Sequence, residues 1–521
     1  MADRDDGLID PGGVISPIEE KFEHVRKLAG IVLAPIAFAL TYWLCDGLTP
    51  EGRSLSGILA TVGVLWLTEV LPLPATALLG ALLCIVLGVA DAKKVFAYFG
   101  DPIVFVFVGS FMLAKAMSVH ALDRRIALGF LAVRGVAGSP AGILFGMGAV
   151  TAFLSMWVSN TATTAMMLPI ALGMLGALHR LRVGQNLAVG EMNARAWPFA
   201  TAMMLMIAYG ASIGGIGTPV GSPPNLIGIA QIERATGVHV SFATWMLLCV
   251  PLLTVMFGVL FVILLTLHPG TTQKTVGGEE LAQYLDEERR KLGRWTAGQR
   301  NTLLVFLLAV SLWVLPGVLA LPGFAGSSAE TLVKARLPES AVAILAAVLL
   351  FVLPIKLSEA RFTLSWADAV RIDWGTIILF GGGLAMGGLM METGVAKALG
   401  DAVTARSGVS SVWAITALSI GLAIVISEAA SNTASAQMII PVVIGIAHSA
   451  GVDPMPPALG AVLGASYGFM LPVSTPPNAI VYGSGLVPIG RMIRAGILFD
   501  LLGFFIILGG LRLIYPLITW R

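Results

Sequence analysis

The chain has 521 residues, 57% of them hydrophobic and 12% charged, with a formal net charge of +2. Soluble domains carry roughly 25% charged residues, so this deficit excludes a soluble globular fold of such size, and the near-neutral balance, spread over short loops, excludes a nucleic-acid surface. Cys45, Cys84 and Cys249 stand singly in apolar segments, which excludes a disulfide framework and a thiolate metal cluster.

Residues 1–27 are polar and carry both signs of charge, and the apolar run after them is too long for a secretory h-region, so they are read as a cytoplasmic segment retained on the protein. Apolar runs of about 20 residues, enough to cross ~30 Å of hydrocarbon, follow near 28–48, 55–72, 75–91, 102–119, 198–232, 242–267, 302–320, 338–357, 374–392, 458–486 and 495–518. They predict an all-α polytopic membrane protein with eleven transmembrane helices. Two more stretches, 138–178 and 408–448, are roughly twice the length of one span and carry Ser159-Asn160-Thr161 and Ser431-Asn432-Thr433 at their middles. Each is either two spans or one re-entrant hairpin. Lys and Arg concentrate on the cytoplasmic side of membrane proteins. With both stretches re-entrant, most loop Lys and Arg fall on that side, with basic loops at 124–134 and 180–195 flanking the first hairpin. The N-terminus is then cytoplasmic and the C-terminus extracytoplasmic. The longest polar insert, 268–300, holds Glu287, Glu288, Arg289, Arg290 and Lys291 and reads as a solvated cytoplasmic helix linking two halves.

The halves repeat. Asp101 opens DPIVFVFVG and Asp373 opens DWGTIILFG, and 58 positions separate each aspartate from the first serine of the following motif (159 − 101 and 431 − 373). SNTATTAMMLP at 159–169 matches SNTASAQMIIP at 431–441, and TPVGSPPN at 218–225 matches LPVSTPPN at 471–478. An odd number of crossings lies between equivalent points if both hairpins are re-entrant, so one copy is upside down relative to the other, the inverted-repeat design of secondary transporters. The predicted organisation is a first transmembrane helix over 28–54, one repeat over 55–267, the linker, and a second repeat over 301–521, each repeat with a hairpin and a broken helix (198–232 and 458–486).

Pro223-Pro224-Asn225 and Pro476-Pro477-Asn478 sit inside apolar runs. Proline lacks an N–H and clashes with the preceding turn, and the carbonyls it frees persist at membrane depth only when buried in protein, facing water or binding an ion. Matched breaks in two halves point to a midplane site. Helices starting at the two SNT tips present unpaired N–H groups and a positive dipole end, which suit carboxylates. Oxygens of Ser155, Ser159, Asn160 and the Gly221 region can surround one small hard cation. Those of Ser427, Ala430 (through its carbonyl), Asn432 and the Ser474 region can surround another, and neutral oxygens suit sodium better than a soft metal. Neither tip nor break holds a Lys or Arg, so bound cations would supply the positive charge that a dianion needs. The Gly381–Gly383 and Gly387-Gly388 clusters are expected to let helices pack closely. Glu428 is expected to be hydrogen-bonded in place, and Glu69, Lys115 and Asp500, near span ends, to snorkel to the interface. An intramembrane enzyme would need a catalytic set such as HExxH or paired aspartates, and none of the six histidines lies in such a motif. A cation/proton antiporter would want ionisable residues where the broken helices meet, and there Glu428 stands alone.

The paired SNT tips, the GTPVGSPPN and PVSTPPN breaks and the long repeat resemble the divalent anion/sodium symporter family, which includes INDY-type dicarboxylate transporters. The resemblance covers nearly everything beyond residue 28. It implies a homodimer with a scaffold and a mobile transport domain, elevator-like movement, and sodium-coupled symport of C4-type dicarboxylates such as succinate, malate and fumarate across a plasma (inner) membrane. Some relatives are sodium-independent exchangers or prefer citrate or sulfate. It further implies substrate contacts from Asn160, Thr161, Ser222, Asn432, Thr433, Thr475 and Pro476. The implied sodium ligands are Ser155, Ser159, Asn160 and Gly221 at one site and Ser427, Ala430, Asn432 and Ser474 at the other.

Overall fold

The computed structural model describes residues 17–133, 139–184, 197–268, 278–320, 325–408, 410–518 and 520. The N-terminal segment through residue 16, the loop over 185–196 and the start of the polar insert at 269–277 lie outside them.

The protein is an all-α polytopic membrane protein whose helix starts follow from capping residues. α1 (Pro17–Leu44) begins within the polar segment and leads to α2 (Pro50–Thr68), where Thr49 accepts from Gly52 N and proline occupies the first turn. α3 (Leu73–Val86) and the short α4 (Ala92–Ala97) precede α5 (Pro102–Val119), capped by Asp101. After α6 (Leu122–Leu131), α7 (Pro140–Ser155) is capped by Ser139 and turns at the first SNT into α8 (Asn160–Gly184). α9 (Pro198–Ile216) is buried at every residue from Phe199 to Ile216, and α10 (Pro223–Thr236) and α11 (Phe242–Leu267) complete the first copy.

The insert contributes α12 (Gly278–Lys291), and Thr296 with Gln299 forms a capping box for α13 (Ala297–Leu319). α14 (Ser328–Arg336), α15 (Glu339–Val352), a two-stranded antiparallel ribbon of β1 (Pro354–Lys356) and β2 (Arg361–Phe362), and α16 (Trp366–Ala369) follow. The second copy then runs through α17 (Trp374–Glu392), α18 (Val395–Ser407), α19 (Val412–Ala429), α20 (Asn432–Ser449), α21 (Met455–Ala465), α22 (Pro476–Tyr482) and α23 (Ile489–Ile514). Asp373 caps α17 as Asp101 caps α5, so the aspartates that open the sequence repeat also open equivalent helices.

Nine of the described helices are long and apolar enough to cross a membrane, or ten if α14 and α15, bent by 65° at their junction, count as one span. The nine include α8 and α19 from the two hairpin stretches and leave out α3 and α21, which are apolar but short. Helix length alone therefore does not return the eleven spans read from hydropathy.

The copies exchange partners reciprocally. α5 packs on α15 while α17 packs on α3; α7 packs on α9 as α19 packs on α21; α22 lies on α8 while α10 lies on α20. Glycines allow the closest approaches: a Cβ on Gly109 would stand 2.3 Å from the Ala343 carbonyl oxygen, and α17 presents Gly382 to Ala77, Gly383 to Gln437 and Gly387 to Gln231.

Two expectations change. The insert is helical over α12, but its inner face is docked rather than solvated: Leu281 is 0% and Leu285 1% exposed, and Arg124 pairs with Glu288 at 2.6 Å. Leucines four apart make one side of an otherwise charged helix apolar, and that side packs on α6 and α8. Asp500 does not snorkel. It is 4% exposed, because α23 turns it toward the protein rather than the lipid.

Candidate functional site

Both proline pairs break their helices as their chemistry requires. The chain leaves α9 after Ile216 and re-enters helix at Pro223, and it leaves α21 after Ala465 and re-enters at Pro476. The freed carbonyls are held by the asparagine that follows each pair. Asn225 Nδ2 donates to Gly215 O and Thr218 O, each at 2.8 Å, and Asn478 Nδ2 donates to Gly468 O at 2.9 Å and Leu471 O at 3.0 Å. The bonds reach back ten and seven residues in both copies, so the two breaks share one backbone design. Trp245 Nε1 adds a bond to Ile216 O at 2.9 Å beside the first break, and Tyr209 donates its hydroxyl to Phe469 O at 2.6 Å beside the second.

The hairpin tips meet these breaks. Ser155 Oγ donates to Asn160 Oδ1 at 2.8 Å, and Ser427 Oγ reaches Asn432 Oδ1 and Ala465 O, both at 2.7 Å. Each serine thereby fixes the amide of the asparagine that starts the next helix, leaving that amide's N–H groups for another partner. α20 begins after Ser431 with no side-chain cap bond, whereas at the first tip Ser159 Oγ accepts from Ala162 N at 3.3 Å.

Around Gly221 the backbone forms a cradle. A Cβ there would stand 2.7 Å from Gly215 O and 2.9 Å from both Met156 O and Ser155 O. Three carbonyl oxygens thus converge on space that only glycine leaves open, next to the Ser155–Asn160 pair. Thr218 steadies the cradle by donating its hydroxyl to Met156 O. Hard, neutral oxygen donors of this kind fit sodium. The second cradle is looser. A Cβ on Gly468 would lie 3.1 Å from Ser427 O, 3.3 Å from Asn432 Oδ1 and 3.3 Å from Ser474 Cβ. Here Ser474 donates to Glu428, whose backbone oxygen lies at 2.9 Å and Oε2 at 2.8 Å, so the serine oxygen keeps lone pairs for a cation.

The structure brings Ser155, Asn160 and the Gly221 backbone together at one cradle, and Ser427, Asn432 and Ser474 at the other. Ser159 is exposed and its hydroxyl serves the helix start; Ala430 is buried in extended backbone where α19 ends. Among the residues read as substrate contacts, Ser222 and Thr475 are buried N-caps of α10 and α22, and Thr475 accepts from Asn478 N at 3.4 Å. Thr161 and Pro476 are exposed, and Thr433 is buried where its counterpart Thr161 is not. Gly215, Gly468, Met156 and Thr218 enter the site without having been singled out. Asn225 and Asn478 stood in the doubled motif, and that doubling was signal enough to assign them.

Glu428 is held as expected: its Oε1 accepts from Phe469 N at 2.5 Å and Met470 N at 2.9 Å. Outside the spans, the turn between α10 and α11 is clamped to the starts of α5 and α15. Arg234 pairs with Asp101 at 2.5 Å, and His239 lies between Glu233 at 2.8 Å and Glu339 at 3.3 Å. Hydrogen bonds to those two carboxylates push the His239 imidazole up from 6.5 to about 10.

A family model described as the sodium:sulfate symporter transmembrane region matches residues 24–520. The chain is 34% identical over 498 residues to the sodium-dependent dicarboxylate transporter SdcS of Staphylococcus saprophyticus, an alignment covering 94% of this chain and 91% of that protein. It is 33% identical over 497 residues to SdcS proteins of Staphylococcus aureus, covering 94% of this chain and 92% of theirs.

Proposed function

The chain belongs to the sodium:sulfate symporter family, the divalent anion/sodium symporters, and from that premise we propose that it carries C4-type dicarboxylates such as succinate, malate or fumarate across a bacterial plasma membrane together with sodium ions. It is a transporter and not an enzyme. The observation that carries the reading is the pair of equivalent oxygen cradles, each set between a broken helix and the asparagine-headed start of a helix.

In this mechanism sodium binds first, at Ser155, Ser159, Asn160 and Gly221 and at Ser427, Ala430, Asn432 and Ser474. Each ion offsets charge that a dianion would otherwise bring unpaired into a low-dielectric site. The amide N–H groups of Asn160 and Asn432, with Thr161, Thr433, Ser222, Thr475 and the backbone at Pro476, then hold the two carboxylates. The inverted repeats of a homodimer move the loaded hairpins past a fixed scaffold in an elevator-like step, with the N-terminus cytoplasmic and the C-terminus outside. The names of the relatives support the sodium and dicarboxylate parts of this reading. Succinate uptake into proteoliposomes of the purified protein tests it: uptake should require an inward sodium gradient. Equal uptake in potassium or choline, accelerated by internal dicarboxylate, would make the protein a sodium-independent exchanger.

A further inference from the structure

The second cradle has a neighbour that the first lacks. At the repeat offset of 272 (431 − 159) Glu428 corresponds to Met156, and at the offset of 253 between the two Pro-Pro-Asn motifs (478 − 225) Asp500 corresponds to Leu247. Both acids are buried, Glu428 at 6% and Asp500 at 4% exposure. Glu428 is richly supplied with donors: two backbone N–H groups of the break on Oε1 and the Ser474 hydroxyl on Oε2. Asp500 finds no hydroxyl, amide or cationic donor for either oxygen. The polar group it meets is the carboxyl of Glu428, within hydrogen-bonding reach.

Two carboxylates in contact repel each other strongly when buried, so such a pair holds one proton between them. The donors decide where it sits. A carboxyl accepting three hydrogen bonds is stabilised as the anion, whereas a buried carboxyl with no donor is stabilised as the acid, which can satisfy itself by donating. The other titratable groups facing the pair are the hydroxyls of Tyr209 and Tyr467, and the Tyr467 hydroxyl also has no partner.

We propose that Asp500 is a positioning residue of the second cation cradle: it stays a neutral acid and donates its proton to Glu428, which in turn fixes Phe469, Met470 and Ser474. The chain of contacts runs from α23 through the end of α19 to the break, so α23 sets the width of the second cradle without touching the ion. The asymmetry follows, because the first cradle is closed by carbonyls and Thr218 and needs no such brace.

The role at the cradle rests on reading it as a sodium site, but the proton on Asp500 does not. The test uses the full chain, wild type, Asp500→Asn and Asp500→Leu, in proteoliposomes. Asparagine has the shape of the acid and donates from its amide, so D500N should keep wild-type uptake, sodium dependence and pH profile. D500L should raise the half-saturating sodium concentration about tenfold, equivalent to 1.4 kcal/mol, and leave the succinate KM at saturating sodium unchanged. Infrared spectroscopy of the purified proteins should show the C=O stretch of a protonated carboxylic acid in the wild type and its loss in D500N. If D500L does not fold, the infrared band and D500N still decide. Absence of the band, its persistence in D500N, loss of transport in D500N, or a D500L protein with wild-type sodium dependence would each overturn the proposal. Sodium-independent uptake by the wild type would instead sink the sodium reading and leave the infrared result to stand alone.

Discussion

Asn160 and Asn432 each place one amide between a serine hydroxyl and open space, with Oδ1 committed at 2.8 Å and 2.7 Å. Truncating either leaves the serine without its acceptor and the substrate without a donor. Asn160→Ala and Asn432→Ala should therefore each abolish succinate uptake while gel-filtration profile and helical content stay native, and normal transport by either would show the site to be misassigned. Gly221 allows a sharper test. A methyl group there would stand 2.7 Å from Gly215 O and 2.9 Å from two further carbonyl oxygens, in the space the cradle keeps open. Gly221→Ala should raise the half-saturating sodium concentration by about tenfold or more, the factor for 1.4 kcal/mol. An unchanged sodium curve would place the ion elsewhere.

The breaks and turns act as units. Asn225 and Asn478 each satisfy two carbonyls that proline has released, and a buried carbonyl left without a donor costs about 1–3 kcal/mol. Asn225→Leu should lower the thermal midpoint in detergent, and Asn478→Leu likewise; a midpoint unchanged in both would mean that water replaces the amide. At the α10–α11 turn, His239 is raised from 6.5 to about 10 by Glu233 and Glu339. Its contribution to stability is complete below 6.5 and is lost progressively as pH rises toward 10, because the folded state keeps a proton that the unfolded state releases. Wild type should thus exceed His239→Gln in thermal midpoint most clearly below pH 6.5, with the gap closing toward pH 10. A gap that widens with pH would contradict the pairing. The doubled SNT and Pro-Pro-Asn motifs made these elements legible in advance. The docked face of α12 was not, since Leu281 and Leu285 are a faint signal within a strongly charged helix.

Across the molecule, the two copies are built through one another: α5 on α15, α17 on α3, α22 on α8 and α10 on α20. An elevator step would have to carry the α10–α11 turn past the start of α15, where His239 now meets Glu339 at 3.3 Å. With the native cysteines replaced, cysteines at 239 and 339 joined by a short thiol crosslinker should arrest uptake, and cleavage of the linker should restore it. Uptake unaffected by the link would rule out that motion. The sequence by itself determined that the protein lives in a bilayer, that it is doubled, and where its helices break, because hydropathy, offset and proline act through neighbours along the chain. Only the tertiary structure decided that three carbonyls converge at Gly221 and that Asp500 meets Glu428 across 72 positions (500 − 428). A backbone oxygen has no letter of its own, and a single acid on an apolar helix reads the same whether packing turns it to lipid or to another acid.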